Sequence, residues 1–280
     1  MHRIFIALAL AVVRVAPLSA QSPTDTALRA SPLVIGETFT INSNVLHEVR
    51  RINVYTPAVY TDSPSVRLPV LYMPDGGMAE DFLHVAGLVQ VSTGNYTMRP
   101  FILVGIENTE RRRDMTGPTT IHKDSTIAKH VSGSAPFRKF IRTELMPRIK
   151  SRYRTTNETA VVGESLAGLF IVETFLREPD LFDTYIALDP SLWWNNHELV
   201  DKADAILRAR APSRKRLFLA NSDEPELADL TKKFADILKA GAFPGLEWYY
   251  MPFPDEGHGT IYHPAALRAF RLLFKPAPAK

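Results

Sequence analysis

The sequence predicts an α/β fold, a mainly parallel central sheet with helices on both faces. Three observations predict it. Several short runs are apolar along most of their length, as strands buried on both sides are. Between them, apolar residues recur at spacings of three or four, the period of a helix that buries one face. The two kinds of segment alternate, and no repeat, low-complexity tract or linker divides the chain, which favours one sheet in one domain.

Met1–Ala20 comes first. Arg3 precedes a ten-residue apolar run, Ile4–Val13, and Ala20 places a small residue before Gln21. That is the layout of a secretory signal peptide. The run is too short to cross a bilayer, which takes about 20 residues. We therefore expect residues 1–20 to direct export to a periplasm or the exterior. Residues 21–33 should be a flexible lead-in, and residues 34–276 a single domain with no stable membrane insertion. Thr38–Ser43 and Arg50–Pro57 carry alternating or β-branched patterns and read as paired strands. Six buried runs follow: Leu68–Gly77, Phe101–Asn108, Thr159–Ser165, Tyr185–Pro190, Arg216–Asp223 and Leu246–Phe253. Phe137, Phe140, Ile141, Leu145, Ile149 and Tyr153 mark one amphipathic helix, and Leu169–Arg177 forms another directly behind the third run. Leu227–Leu238 is a further helix, with Gly241 as its C-cap, and Ala265–Phe274 is the last.

Composition removes several classes of function. Of the 280 residues, 45% are hydrophobic and 22% charged, which excludes a chain too polar to fold. Cysteine is absent, so disulfides, thiolate metal sites and a cysteine nucleophile are ruled out. The formal charge is +3; without Arg3 and Arg14, 31 basic residues face 30 acidic ones, leaving +1. A chain so near neutrality has no general electrostatic pull towards nucleic acid.

The sharpest motif is VVGESLAGLF, Val161–Phe170. A buried strand runs into a turn and a helix begins at once, with small residues Gly163, Ala167 and Gly168 around Ser165. Such a turn lifts a serine hydroxyl above the sheet at a helix N-terminus. A serine nucleophile needs a base, and the base should follow the last strand. His258 lies there, between Gly257 and Gly259. His47, His84, His122, His130, His197 and His263 do not occupy a strand end in that order. A carboxylate to orient the imidazole should follow the run at Arg216. Asp223 is the first choice and Glu224 the alternative; Glu226 and Asp189, at the preceding strand end, remain options. Oxyanion donors should be the N–H of Leu166 and one from the turn Pro74–Met78, where Gly77 is favoured with Met78 its neighbour. Trp193 and Trp194 follow a strand end and suit the wall of an aromatic or acyl pocket. Arg111, Arg112 and Arg113 follow another and suit an anionic substrate, Arg112 foremost.

Six segments occur together in order: LPVLYMPDGG, FILVGIENTERRRDMT, FRKFIRTELMPRIKSRYR, VVGESLAGLF, ALDPSLWWNN and DEGHGTIYHPAALRAFRLLF. In this the sequence, from Thr38 to Phe274, resembles the putative-esterase family of α/β-hydrolases, an esterase D-like group that includes siderophore trilactone esterases. The resemblance implies an α/β-hydrolase fold and serine hydrolase activity on carboxylic esters. It also implies no metal and no organic cofactor. The partner would be a small-molecule ester, aromatic or siderophore-like. An acyltransferase using the same acyl-enzyme, or a homologue that binds ligand without catalysis, is the alternative. Two positions depart from the family pattern: Glu164 stands where many relatives carry His, and Ala167 where many carry a second Gly. A carboxylate at Glu164 close to His258 would favour the imidazolium.

Overall fold

Eight strands form one sheet in the order β1-β2-β4-β3-β5-β6-β7-β8. They are β1 Glu37–Ser43, β2 Glu48–Tyr55, β3 Leu68–Met73, β4 Ile102–Ile106, β5 Thr155–Glu164, β6 Thr184–Leu188, β7 Lys215–Asn221 and β8 Leu246–Pro252. This computed structural model describes residues 30–210 and 214–276. The leader expected at 1–20, and the lead-in up to residue 29, lie outside the described residues. The hairpin β1–β2 is antiparallel and joins β4 antiparallel. From β4 to β8 every pairing is parallel. The continuous apolar runs explain this: β3, β4 and β6 are buried at every position, which requires cover on both faces.

Helices supply that cover. They are α1 Ala58–Asp62, α2 Phe82–Gly94, α3 Arg111–Met115, α4 His122–Ser125, α5 Ser134–Phe140, α6 Met146–Arg152, α7 Leu166–Arg177, α8 Glu198–Asp201, α9 Ala203–Ala209, α10 Pro225–Gly241 and α11 Tyr262–Leu273. The two-residue period of a strand divides the core in two. Val70 and Tyr72 pack with α5, α6, α7, α9 and α10 on one face, while Leu71 and Met73 pack with α2 and α11 on the other. The fold is that of an α/β-hydrolase.

The stripe from Phe137 to Ile149 is fully buried, as its spacing implies. It is not a continuous α-helix: Ile141–Leu145 widens to a π turn between α5 and α6. Pro147 follows at once and has no N–H to return to the preceding turn. The C-cap of α10 also differs from expectation. Ala242, not Gly241, takes the left-handed conformation, at φ 41°. Gly241 is there for space, since a Cβ on it would lie 2.3 Å from the Phe243 ring. Among the described residues, no helix is long and apolar enough to cross a membrane.

A buried ionic lattice joins the edge hairpin to α3. Arg50 is fully buried and donates to Asp114 at 2.5 Å, Glu48 at 2.8 Å and Thr109 at 2.6 Å. Arg113 closes the lattice on Glu48 and Asp114, each at 2.7 Å. Charges this deep persist because each is paired. The lattice fixes the segment that carries Arg111 and Arg112.

Candidate active site

The carboxyl ends of the parallel strands gather the site, as the topology of open α/β sheets dictates. Ser165 follows β5 directly, at φ 61° and ψ −121°, and Leu166 opens α7. A non-glycine residue at this positive φ is strained, and its neighbours show how the strain is held. A Cβ on Gly163 would sit 2.6 Å from that of Ala167, and one on Gly168 would sit 2.9 Å from Pro190 Cα. Only small residues let α7 start this close to β5 and β6. Ser165 N–H donates to Leu188 C=O at 3.1 Å, and Ser191 N–H donates to Ser165 C=O at 3.0 Å. The turn is thereby stitched to the end of β6.

His258 lies on the loop between β8 and α11 and meets Ser165 across 93 positions of sequence. Its Nε2 is 3.0 Å from Ser165 Oγ, and its Nδ1 is 2.6 Å from Asp189 Oδ2. Asp189 is completely buried and itself has φ 45°. Ser222 braces its carboxylate, with N–H to Oδ1 at 2.8 Å and Oγ–H to Oδ2 at 2.6 Å. Burial alone pushes the Asp189 carboxyl up, but the hydrogen bonds from His258 and Ser222 outweigh it and hold the group below the ordinary carboxylate range. The bond to Asp189 raises the imidazole above its usual value against the opposing effect of burial, and the Glu164 charge adds to the rise.

The carboxylate that meets the imidazole is Asp189, not the expected Asp223 or Glu224. Asp223 and Glu224 are both exposed and make no hydrogen bond to the ring. The chain leaving β7 turns Ser222 inward, where it meets Asp189, and carries the next two side chains outward. Asp223 N–H is used on Glu256 C=O at 2.9 Å, and Glu224 stands on the cleft wall.

Leu166 lines the cleft beside Ser165, and its N–H belongs to the first turn of α7, which has no intrahelical acceptor. Gly77 does not fit its expected role. Its N–H already donates to Glu80 Oε2 at 2.6 Å. Glu80 reaches back three positions to accept it; among the described residues the neighbouring Met78 N–H has no protein acceptor. Gly76 serves close packing, since a Cβ there would lie 2.3 Å from Gly105 Cα.

An open cleft of about 380 Å³ runs over Ser165 and His258, walled by Trp193, Arg111, Arg112, Ile127 and Leu227. Trp194 is not in it. That indole is 4% exposed and donates to Gly117 C=O at 2.9 Å, so it belongs to the core. Adjacent residues in a tight turn point apart, and Trp193 takes the open side. Arg112 is exposed and donates to Ile127 C=O at 2.7 Å. Arg111 is clamped on Asp75 through two bonds of 2.6 and 2.9 Å, while Arg113 is spent in the ionic lattice. Ser191, unsuspected from sequence, is buried with its Oγ 3.4 Å from Ser165 Oγ. Its position two residues beyond Asp189 is the only signal for it.

Glu164, Asp189 and His258 bring three metal-ligand atoms within 4.8 Å of one another. The shared nitrogen is Nδ1, which must keep its proton if Nε2 is to accept one from serine. Metal ligation there and base catalysis at Nε2 exclude each other.

A family profile described as Putative esterase matches residues 43–240. The chain is 26% identical over 254 residues to the ferri-bacillibactin esterase BesA of Bacillus subtilis, a match spanning 82% of this chain and 87% of that one. It is 27% identical over 174 residues to the siderophore triacetylfusarinine C esterase of Aspergillus fumigatus, 58% of each chain. Among solved structures, an IroE-like serine hydrolase from Shewanella oneidensis superposes with a TM-score of 0.79 at 30% identity, covering 86% of this chain and 80% of that one.

Proposed function

The chain belongs to the putative esterase family, and from that premise we propose that it is a serine hydrolase that cleaves carboxylic esters through an acyl-enzyme. The observation that carries the reading is the line Ser165 Oγ, His258 Nε2, His258 Nδ1, Asp189 Oδ2, with separations of 3.0 and 2.6 Å at its two hydrogen bonds. With Nδ1–H committed to Asp189, Nε2 is the free acceptor for the serine proton. Ser165 attacks the ester carbonyl as His258 takes that proton. The N–H groups of Leu166 and Met78 receive the oxyanion. His258 then gives its proton to the departing alcohol, and water repeats the sequence to release the acid. Each oxyanion donor in such a site contributes about 100- to 1,000-fold in rate.

For the substrate we propose a siderophore-type ester with aromatic, anionic arms. The names of the relatives support the class, and the cleft supports the chemistry: Trp193 offers a ring face and Arg112 a cation beside Ser165. Export, the lead peptide at residues 1–20 and delivery to a periplasm or the exterior belong to the same reading.

A fluorophosphonate probe should label the wild-type protein and leave Ser165→Ala untouched. Hydrolysis of a catecholate trilactone and of p-nitrophenyl butyrate should vanish together in that variant. Undiminished turnover in Ser165→Ala would remove the nucleophile. A trilactone cleaved no faster than the simple aryl ester would remove the substrate class alone.

A further inference from the structure

Glu164 takes no part in the reaction above, yet its carboxylate stands beside the base. It ends β5 immediately before Ser165, with a side chain only 16% exposed. Its Oε1 is buried and accepts no hydrogen bond, although it lies 3.2 Å from His258 Nδ1. That nitrogen carries one proton, directed at Asp189 at 2.6 Å. Every neighbouring strand end adds a charge: Asp75 after β3, Arg111 after β4 and Asp189 after β6 all act on Glu164. Glu224, before α10, acts on His258 from the cleft wall. Tyr262 of α11 brings a buried hydroxyl without a partner into the same field, and Asp81 acts on that tyrosine.

We propose that Glu164 is a second positioning carboxylate for His258, sharing the Nδ1 edge of the imidazole with Asp189, and that its ionisation governs how strong a base His258 is. The proposal rests on the reading of His258 as the base of the site. While the ring is neutral, Asp189 takes its hydrogen and Glu164 faces an uncharged group. When the ring gains the serine proton, a positive charge appears 3.2 Å from Glu164. The attraction therefore arises on the way to the tetrahedral intermediate and not before, which is the kind of interaction that speeds a reaction. Burial pushes the Glu164 carboxyl up to about 7 against the pull of the His258 charge, with Asp189 and Asp75 adding to the rise and Arg111 opposing it. Loss of the Glu164 proton near neutrality raises the affinity of the imidazole for its own. The two titrations belong to the pair rather than to either residue.

The test follows the His258 ring by NMR as pH is varied, in Ser165→Ala protein with Glu164 intact or changed to Gln or Asp. It also follows the pH profile of kcat/KM for p-nitrophenyl butyrate in the Ser165 enzyme. Glu164→Gln should move the His258 midpoint down by about half to one pH unit, allowing for solvent screening at the exposed ring edge. It should move the acid limb of kcat/KM down equally and lower the plateau about three- to tenfold. Glu164→Asp keeps the charge one methylene further back and should fall between. The dispersed NMR spectrum reports that each variant is folded. An unmoved His258 midpoint in Glu164→Gln, or equal shifts for Gln and Asp, overturns the proposal. The NMR arm needs no turnover, so an absence of ester cleavage would sink the esterase reading while leaving the role of Glu164 decided separately.

Discussion

Asp189→Asn separates the orienting carboxylate from its rivals, and its outcome follows from one backbone group. Ser222 N–H donates to Asp189 Oδ1 at 2.8 Å. An amide can satisfy that donor only by placing its carbonyl oxygen there. Its NH₂ group must then occupy the position of Oδ2, facing His258 Nδ1 and Ser222 Oγ. Nδ1 is forced to accept, and the ring proton moves to Nε2, the atom 3.0 Å from Ser165 Oγ. A base whose lone pair is blocked cannot deprotonate serine. The wrong tautomer costs a triad about 10⁴-fold in kcat, or about 5.4 kcal/mol. Glu164, 3.2 Å from Nδ1, offers a second acceptor that returns part of the population to the working tautomer. We therefore expect a loss of about 10³-fold in kcat with KM little changed. The assay is steady-state hydrolysis of p-nitrophenyl butyrate at pH 8, alongside thermal melts of each variant. Asp223→Asn and Glu224→Gln, both exposed, should stay within about threefold of wild type. If Asp189→Asn keeps a tenth of wild-type kcat while Asp223→Asn falls a hundredfold, the hydrogen-bond argument is wrong.

Other consequences are equally direct. Ser165→Gly should melt above Ser165→Ala by an amount equivalent to about 0.5–1 kcal/mol, because glycine accepts φ 61° without strain; equal melting temperatures would deny that strain. Trp194→Ala should cost about 3–5 kcal/mol by denaturant unfolding, since it empties a core site and orphans Gly117 C=O, whereas Trp193→Ala should leave stability within about 1 kcal/mol and raise KM for aryl esters. Arg50→Met should cost up to about 3 kcal/mol by removing the fully buried cation of the lattice and leaving Asp114 and Glu48 to Arg113 alone; a variant as stable as wild type would show that the lattice is dispensable. Glu164 binds its proton more tightly folded than unfolded, so its contribution to stability is present below about pH 4.5 and is lost as pH rises to about 7. Glu164→Gln should therefore gain on wild type between pH 5 and pH 8, by up to about 3 kcal/mol in melts at the two pH values.

The buried strands, the elbow at Ser165 and its pairing with His258 could be read before any coordinates, because each rests on a period or a local turn. Side-chain direction could not. Asp189 and Asp223 both follow strand ends, and nothing in their spacing tells that Asp189 turns at φ 45° into the core while Ser222 pulls the β7 turn inward. Trp193 and Trp194 are neighbours of identical chemistry, and only packing against Gly117 decides which is buried. Gly77 looked free because the carboxylate that occupies its N–H belongs to Glu80, three residues on. Helix α2 escaped the periodic reading altogether: Phe82–Gly94 is apolar on most of its circumference, carries two glycines and gives no clear stripe.

The place of Asp189 on β6 has a consequence for how such a protein can change. In the β7–α10 connection the backbone serves the site: Ser222 braces the acid, Glu224 N–H supports Ser222 Oγ at 3.2 Å, and Asp223 N–H holds the His258 loop at Glu256, while the side chains of Asp223 and Glu224 make no hydrogen bond to the ring. Glu224, Glu226 and Leu227 nevertheless stand over the cleft mouth. Side-chain exchanges at these positions can reshape what the mouth admits while those backbone bonds stay in place, which makes this rim the natural place for new selectivity to evolve or be engineered.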